Sequence, residues 1–194
     1  MARHSSRFET EIKLRVESPA RLKRRLGRLG FSVVKRRVLE INIVFDTPSG
    51  AVRREGKLLR LRQAGSRGTI TFKGPPAAGR YKSREEIESD LADGAAMQLI
   101  LERLGYAPVF RYEKYRTEYA QSRQAGRAML DQTPIGDFLE LEGSPAWIDR
   151  TACALGYSPD DYITASYGAL YLARCQARGV EPGHMVFGLA RQRS

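Results

Sequence analysis

Charged and apolar residues alternate in the first well-patterned stretch of the chain, residues 7–16, which reads RFETEIKLRV. Its odd-numbered positions from residue 9 onward carry the ions Glu9, Glu11, Lys13 and Arg15. Its even-numbered positions are apolar apart from Thr10. Because successive side chains of a strand point to opposite faces, this alternation predicts a β-strand with one ionic face and one apolar face.

The same two-faced pattern returns in five later stretches. They read KLLRLRQ (57–63), TITFKGP (69–75), REEIESD (84–90), EKYRTEY (113–119) and FLELEG (138–143). The ionic types segregate, since glutamates dominate the first and last stretches of the series and cations dominate most of those between. With two further β-rich stretches, the sequence predicts eight strands, near residues 8–16, 39–46, 57–63, 68–73, 84–90, 109–120, 127–132 and 137–142.

Four other stretches space their apolar residues as helices do, and each is followed by a glycine that suits a helix end. They predict helices over residues 18–29, 93–104, 145–155 and 166–178. The predicted fold class is α+β: an eight-stranded antiparallel β-barrel with helices packed outside. Residues 180–194 have no clear periodicity, which predicts a mobile tail.

The ionic faces can be arranged in two ways. The apolar faces can fill a small barrel and leave the ions in water, as on an ordinary exposed sheet. Alternatively, the ions line a tunnel and the helices bury their apolar stripes against the outside of the barrel. Buried charges need partners, and a triphosphate with divalent metal ions would supply them. A single strand fits both arrangements; the recurrence on six strands favours the tunnel.

Composition and charge narrow the classes of function. The chain has 194 residues, the size of one domain, and its net charge of +11 favours a polyanionic partner. Its two cysteines, Cys153 and Cys175, indicate neither a disulfide framework nor a zinc site, so we expect reduced thiols in a cytoplasmic protein. No apolar run approaches the roughly 20 residues that cross a bilayer. The two histidines, His4 and His184, lie far apart in sequence, which argues against a catalytic triad.

The charged motifs resemble those of a known family. The residues ETEIK (9–13) resemble the ExExK signature of the CYTH superfamily, the triphosphate tunnel metalloenzymes. The resemblance continues in the same order through VFDTP (44–48), LRLR (59–62), TFKGP (71–75), SREEIE (83–88), KYRTEY (114–119), LDQTPIGDFLELEG (130–143) and SYGALY (166–171). It implies a single tunnel domain over residues 1–179, followed by the tail over residues 180–194.

The resemblance also implies the roles of individual residues. Divalent metal, Mg²⁺ or Mn²⁺, is expected at the five carboxylates Glu9, Glu11, Asp131, Glu140 and Glu142. Phosphate groups are expected at the seven cations Lys13, Arg60, Arg62, Lys73, Arg84, Lys114 and Arg116. Catalytic roles are expected for Glu11, Lys13 and Asp131.

The implied function is metal-dependent chemistry on a small molecule that carries a triphosphate, such as tripolyphosphate, thiamine triphosphate or a nucleoside triphosphate. Hydrolysis of a phosphoanhydride bond is the leading prediction, and a class IV adenylate cyclase is the alternative. Such cyclases often carry an adjacent His-Phe pair before ExExK, whereas three residues separate His4 from Phe8 here, which weighs against the cyclase. A non-enzymatic module for polyphosphate or RNA gives the segregated glutamates no role. We expect no membrane and no nucleic acid as partner, and a homodimer is left open.

Overall fold

A computed structural model describes residues 7–188 of the chain. Within this part, eight antiparallel strands close into a barrel in the order β1-β5-β4-β3-β2-β6-β7-β8, and β8 pairs with β1. The strands are β1 (Arg7–Val16), β2 (Phe31–Asp46), β3 (Leu58–Ala64), β4 (Arg67–Lys73), β5 (Lys82–Leu91), β6 (Ala107–Gln121), β7 (Arg127–Thr133) and β8 (Gly136–Glu142). The predicted barrel is confirmed.

Five α-helices accompany the strands in the described residues, and four of them are those predicted. They are α1 (Pro19–Arg28), α2 (Ala51–Arg54), α3 (Gly94–Arg103), α4 (Pro145–Ala154) and α5 (Tyr167–Ala177). Serine or aspartate caps the four long helices, as Ser18 does by accepting a hydrogen bond from the amide of Arg21. Among the described residues, no helix is long and apolar enough to cross a membrane.

The apolar faces of the strands point outward and the helices cover them. Under α1 and α4, the strand residues Leu14 and Leu139 pack in one cluster with Leu26 and Ile148 of the helices, and all four are fully buried. A second cluster joins β2 and β3 to Leu101 of α3. The tunnel arrangement therefore describes this barrel, and the arrangement with a filled apolar interior does not.

Strand β2 begins at Phe31, eight residues before the predicted start. Its early residues pair with the end of β6 through a register that shifts between Val33 and Lys35 and again before Val38. Most side chains from 32 to 37 are exposed on both faces. Alternation predicts a strand only where one face is buried, so this extension left no pattern in the sequence.

The described part of the predicted tail is attached to the barrel. The backbone of Met185 exchanges hydrogen bonds with β6: its carbonyl accepts from the amide of Glu113 at 2.9 Å, and its amide donates to the carbonyl of Arg111 at 3.0 Å. The Met185 side chain is 1% exposed. The expectation of mobility is therefore wrong for residues 180–188, where one bridge and two buried side chains, Met185 and Phe187, hold an aperiodic segment.

Two glycines give a matched test of packing around Trp147, a residue of α4 that belongs to the first apolar cluster. A Cβ atom at Gly126 would fall inside the indole ring of Trp147, whereas a Cβ at Gly27 on α1 meets nothing within 4 Å. We expect Gly126→Ala to lower the free energy of unfolding by about 1–3 kcal/mol. Gly27→Ala should raise it by about 0.5–1 kcal/mol because alanine is the better helix former. Urea denaturation checks both; equal effects would contradict the packing of Trp147.

Candidate active site

The ionic faces of the strands converge on one cavity of about 1050 Å³ inside the barrel. Twelve basic and eight acidic residues line it, which leaves an excess of four positive charges. Nearly every sequence-predicted site residue belongs to this wall: Glu9, Glu11, Lys13, Arg60, Arg62, Lys73, Arg84, Lys114, Arg116, Glu140 and Glu142. Asp131 is the exception. Most of these side chains are less than a tenth exposed, so the cavity walls hold charges that water solvates poorly.

Strands β1 and β8 bring the predicted metal-binding carboxylates side by side. Glu11 lies opposite Glu142 in the register of the two strands, and Lys13 lies opposite Glu140. The ammonium groups of Lys13 and Lys82 each lie 3.0 Å from Oε1 of Glu11. Burial alone would raise the pKa of Glu11, but these two cations outweigh it and hold that pKa below the usual range.

Glu9 is the least favourably compensated carboxylate of this group. It forms an ion pair with Lys73, which also lies 3.3 Å from Glu86. Burial and the neighbouring charge of Glu11 together raise the pKa of Glu9 above its ordinary value, against the effect of Lys73. Negative charge is thus crowded in the first half of β1, around Glu9 and Glu11, where a bound metal ion would be stabilised.

Asp131 is fully buried and does not line the cavity. Its two carboxylate oxygens accept hydrogen bonds from Lys114 at 2.7 Å and from Arg116 at 2.5 and 2.6 Å. The hydroxyl of Tyr167, on α5, donates to it at 2.8 Å. Arg116 also forms an ion pair with Glu140. Asp131 therefore holds two cavity-lining cations in place from behind, through charge-assisted hydrogen bonds.

A second group of cations faces the cavity from β3, between β2 and β4. Arg62 donates to the side-chain oxygen of Asn42 at 2.9 Å and lies 3.4 Å from a carboxylate oxygen of Glu40. Arg60 donates to the hydroxyl of Tyr112 at 3.2 Å and to Thr71 at 3.1 Å. Burial opposes ionisation of Tyr112, but the nearby Arg60 and Arg62 lower its pKa to about 8.

Two guanidinium groups of the wall keep a donor unused. The Nε atoms of Arg60 and Arg84 are buried and have no hydrogen-bond partner among residues 7–188. A buried N–H without a partner is costly, and an oxyanion that these two side chains turned to meet would satisfy both donors. These two atoms are the strongest local indication that the cavity is built for an anion.

Sequence reasoning missed several residues of the wall. Lys82 and Tyr112 share the parity of the predicted ionic positions in β5 and β6, so extending the alternation of each strand by one step would have found them. Burial and the neighbouring Lys13 lower the pKa of Lys82 to about 8. Tyr167 had no signal of this kind because it enters from a helix, of which Ser166 is the N-cap.

The carboxylates suit a hard divalent metal ion, although each is already paired with a basic side chain. Within residues 7–188, no group of three carboxylate, imidazole or thiol side chains forms a ready-made metal site. The oxygen donors of Glu9, Glu11 and Glu140 are nonetheless close enough to raise one another's pKa. Oxygen ligands of this kind are those that Mg²⁺ and Mn²⁺ prefer. The residues therefore fit such a metal, provided that the lysines give up the carboxylates.

Glu40 offers a test of the buried ion pairs by pH. Burial would raise its pKa, but Lys114 and Arg62 lower it to about 2 from an ordinary value of 4.5. A depressed pKa stabilises the fold above pH 4.5 and loses that contribution as the pH falls toward 2. We expect wild type to lose about 3 kcal/mol more than Glu40→Gln across this interval. Denaturation at each pH measures it, with Glu102→Gln on the exposed face of α3 as control; parallel profiles for wild type and Glu40→Gln would contradict the ion pairs.

Known proteins resemble the chain in sequence. A family model described as the CYTH domain matches residues 7–148. A protein of Methanocaldococcus jannaschii with the name "Putative adenylate cyclase" is 30% identical over 170 residues, which cover 82% of this chain and 96% of that protein. The family resemblance of the charged motifs is confirmed.

Solved structures share the fold. A Vibrio parahaemolyticus protein, described as a "putative adenylate cyclase", superposes with a TM-score of 0.72 at 22% identity and covers 84% of this chain and 97% of its own. A Hippeastrum protein, whose description reports a dominant triphosphatase activity, has a TM-score of 0.60 at 17% identity, with 90% and 97% covered. Since the family model spans more than half of the chain and agrees with the barrel and its ionic wall, the chain belongs to the CYTH domain family.

Proposed function

We propose that the protein hydrolyses a phosphoanhydride bond of a triphosphate in a metal-dependent reaction. The observation that carries the proposal is the composition of the cavity wall: an excess of four positive charges, with four of the eight acidic residues on the adjacent strands β1 and β8. A triphosphate supplies negative charge that the cations need, and a divalent cation supplies positive charge that the carboxylates need. Each would replace an internal ion pair of the free protein.

The cations of β3 to β6 would bind the triphosphate. Arg60 and Arg84 have unused buried donors, and Arg116 is held rigidly by Asp131. Rigid guanidinium groups bind phosphate oxygens without the loss of side-chain entropy that a mobile cation would suffer. Positioning and charge stabilisation of this kind supply most of the rate in phosphoryl transfer.

Glu9, Glu11, Glu140 and Glu142 would hold the metal. When bound, a divalent metal would neutralise charge on phosphate oxygens and make a coordinated water more acidic. The sequence resemblance also implied Asp131 as a ligand; we assign it instead the positioning of Lys114 and Arg116, because both of its oxygens already accept their hydrogen bonds. Lys13, 3.0 Å from Glu11 and 3.3 Å from Glu140, would move from the carboxylates to phosphate when metal binds.

The overall reaction is attack of water on the terminal phosphorus and release of inorganic phosphate, with a diphosphate as the other product. The test is a panel of tripolyphosphate, thiamine triphosphate and ATP, each with Mg²⁺ or Mn²⁺ and with EDTA as control. We expect metal-dependent phosphate release from at least one of them. No turnover of any member of the panel by correctly folded protein would defeat the hydrolase proposal.

An adenylate cyclase is the second candidate, and the name of the 30% identical M. jannaschii protein favours it. In that reaction the 3′-hydroxyl of the ribose attacks the α-phosphorus and pyrophosphate leaves. The same panel separates the two activities, since ATP would yield cyclic AMP and pyrophosphate instead of ADP and phosphate. His4, on which the sequence argument against the cyclase depends, lies outside the described residues.

A further inference from the structure

One end of the cavity wall carries a group of apolar side chains, in contrast with the ionic middle. Val109 and Phe110 of β6, Leu172 of α5 and Pro182 of the C-terminal segment all line it there. Val109 and Leu172 are about half exposed, at 51% and 50%. Large apolar side chains exposed inside a charged cavity indicate a ligand with an apolar part.

The C-terminal segment is fixed at this end by bonds to two elements. The amide of Gly183 donates to the hydroxyl of Tyr171 on α5 at 3.2 Å, and Nδ1 of His184 accepts from the amide of Arg111 on β6 at 3.2 Å. The bridge of Met185 to β6 lies directly beyond. Pro182 and Gly183 thereby become part of the cavity wall. The family match ends at residue 148, so this part of the wall lies outside it.

An aromatic cluster connects the apolar end to the phosphate-binding cations. The ring of Phe110 stacks on Tyr112 with centroids 5.8 Å apart, and it contacts the rings of Tyr171 and His184 at 5.8 and 6.5 Å. The hydroxyl of Tyr112 in turn accepts a hydrogen bond from Arg60. A ligand that runs from Arg60 toward Phe110 would therefore pass from guanidinium groups to an aromatic and aliphatic surface.

We infer that Pro182 and Gly183, held in place by His184 and Met185, form with Phe110 and Leu172 a subsite for the planar organic end of a triphosphate, and that this chain selects nucleoside triphosphates over inorganic tripolyphosphate. The inference rests on the proposed function, because it places the triphosphate on the cations of β3 and β6. A flat base offers the aromatic surface that Phe110 and Leu172 can cover, and base–aromatic contacts tolerate any base.

Charge at this end selects among organic triphosphates. Arg53 lines the cavity from α2, and the nearby carboxylate of Asp46 already accepts three backbone amides. Lys57, in the loop that follows, also lines the cavity but pairs with Glu55 at 2.5 Å. A cationic ring such as the thiazolium of thiamine would meet the positive charge of Arg53, whereas an uncharged nucleobase would not be repelled by it. The subsite therefore favours a nucleoside triphosphate over thiamine triphosphate as well.

The test measures binding without turnover, by calorimetry of ATP and tripolyphosphate with the full chain in EDTA. We expect ATP to bind about fivefold or more tightly than tripolyphosphate. Leu172→Gln and His184→Ala should each remove about fivefold of the ATP affinity and leave tripolyphosphate unchanged. Leu99→Gln is the matched control, because Leu99 on α3 is 57% exposed and lies outside the cavity wall.

Each outcome has one meaning. Equal affinities for ATP and tripolyphosphate, unaltered in both variants, would overturn the subsite and leave the proposed hydrolysis standing. Loss of affinity for both ligands in Leu172→Gln, with an unchanged melting temperature, would also overturn it, since the residue would then act on the triphosphate. Failure of wild type to bind either ligand would overturn the subsite and the proposed function together.

Discussion

Replacing Glu9 and Glu11 together by glutamine is expected to lower kcat by about 100-fold or more for the best substrate of the panel. The two carboxylates lie on the ionic face of β1 within the cavity wall. Glutamine keeps their shape but removes both negative charges, so the metal would lose ligands that it binds by charge. Initial rates across a titration of Mg²⁺ or Mn²⁺ measure the effect.

Binding of the anion should respond in the opposite direction. The double variant removes one carboxylate partner from each of Lys13, Lys73 and Lys82, while Lys13 keeps Glu140 and Lys73 keeps Glu86. We therefore expect tripolyphosphate to bind at least as tightly in EDTA as it does to wild type. Glu102→Gln on α3 is the control for removal of a charge alone, and its rate should equal that of wild type. Full activity of the double variant would exclude β1 as part of the metal site.

Replacing Arg116 by alanine is expected to lower the free energy of unfolding by about 3–5 kcal/mol. Arg116 is 8% exposed and donates to both oxygens of Asp131 and to Glu140. Removing it would leave buried carboxylates with fewer cationic partners, and the cost of an uncompensated buried charge exceeds the attraction that a surface pair provides.

An exposed ion pair on the same barrel is the control for this prediction. Lys35 pairs with Glu118 at 2.8 Å, but its side chain is 60% exposed. Lys35→Ala should cost less than about 1 kcal/mol. Guanidinium denaturation of the two variants gives the comparison. A cost for Arg116→Ala as small as that for Lys35→Ala would show that water reaches the Asp131 cluster.

Alternation predicted the barrel well because one rule governs every strand. The face of each strand that is buried against helices must be apolar. The opposite face points into the cavity and carries the ionic residues. In residues 32–37 of β2 neither face is buried, so apolar and polar residues do not alternate there. This part of the strand was therefore not predicted. The attachment of the C-terminal segment was not predicted for a related reason. A single bridge at Met185 produces no repeating pattern of apolar residues.

The sequence predicted which face of each strand carries the site residues. It did not predict how far each side chain lies from the cavity surface. The family resemblance placed Asp131 and Glu140 alike at the metal, and only the structure separates Asp131, behind the cations, from Glu140 at the cavity surface. Tyr167 reaches the same cluster from a helix that crosses the end of the barrel. Contacts between elements far apart in sequence leave no pattern in either element alone.

The most direct test of the account is a crystal structure of the protein with Mn²⁺ and tripolyphosphate, collected at the manganese absorption edge. We expect anomalous density against the carboxylates of Glu9, Glu11 and Glu140, with phosphate oxygens on the guanidinium groups of Arg60 and Arg84. Manganese and tripolyphosphate bound outside the barrel, on the basic surface of α1, with the internal ion pairs unbroken, would contradict it.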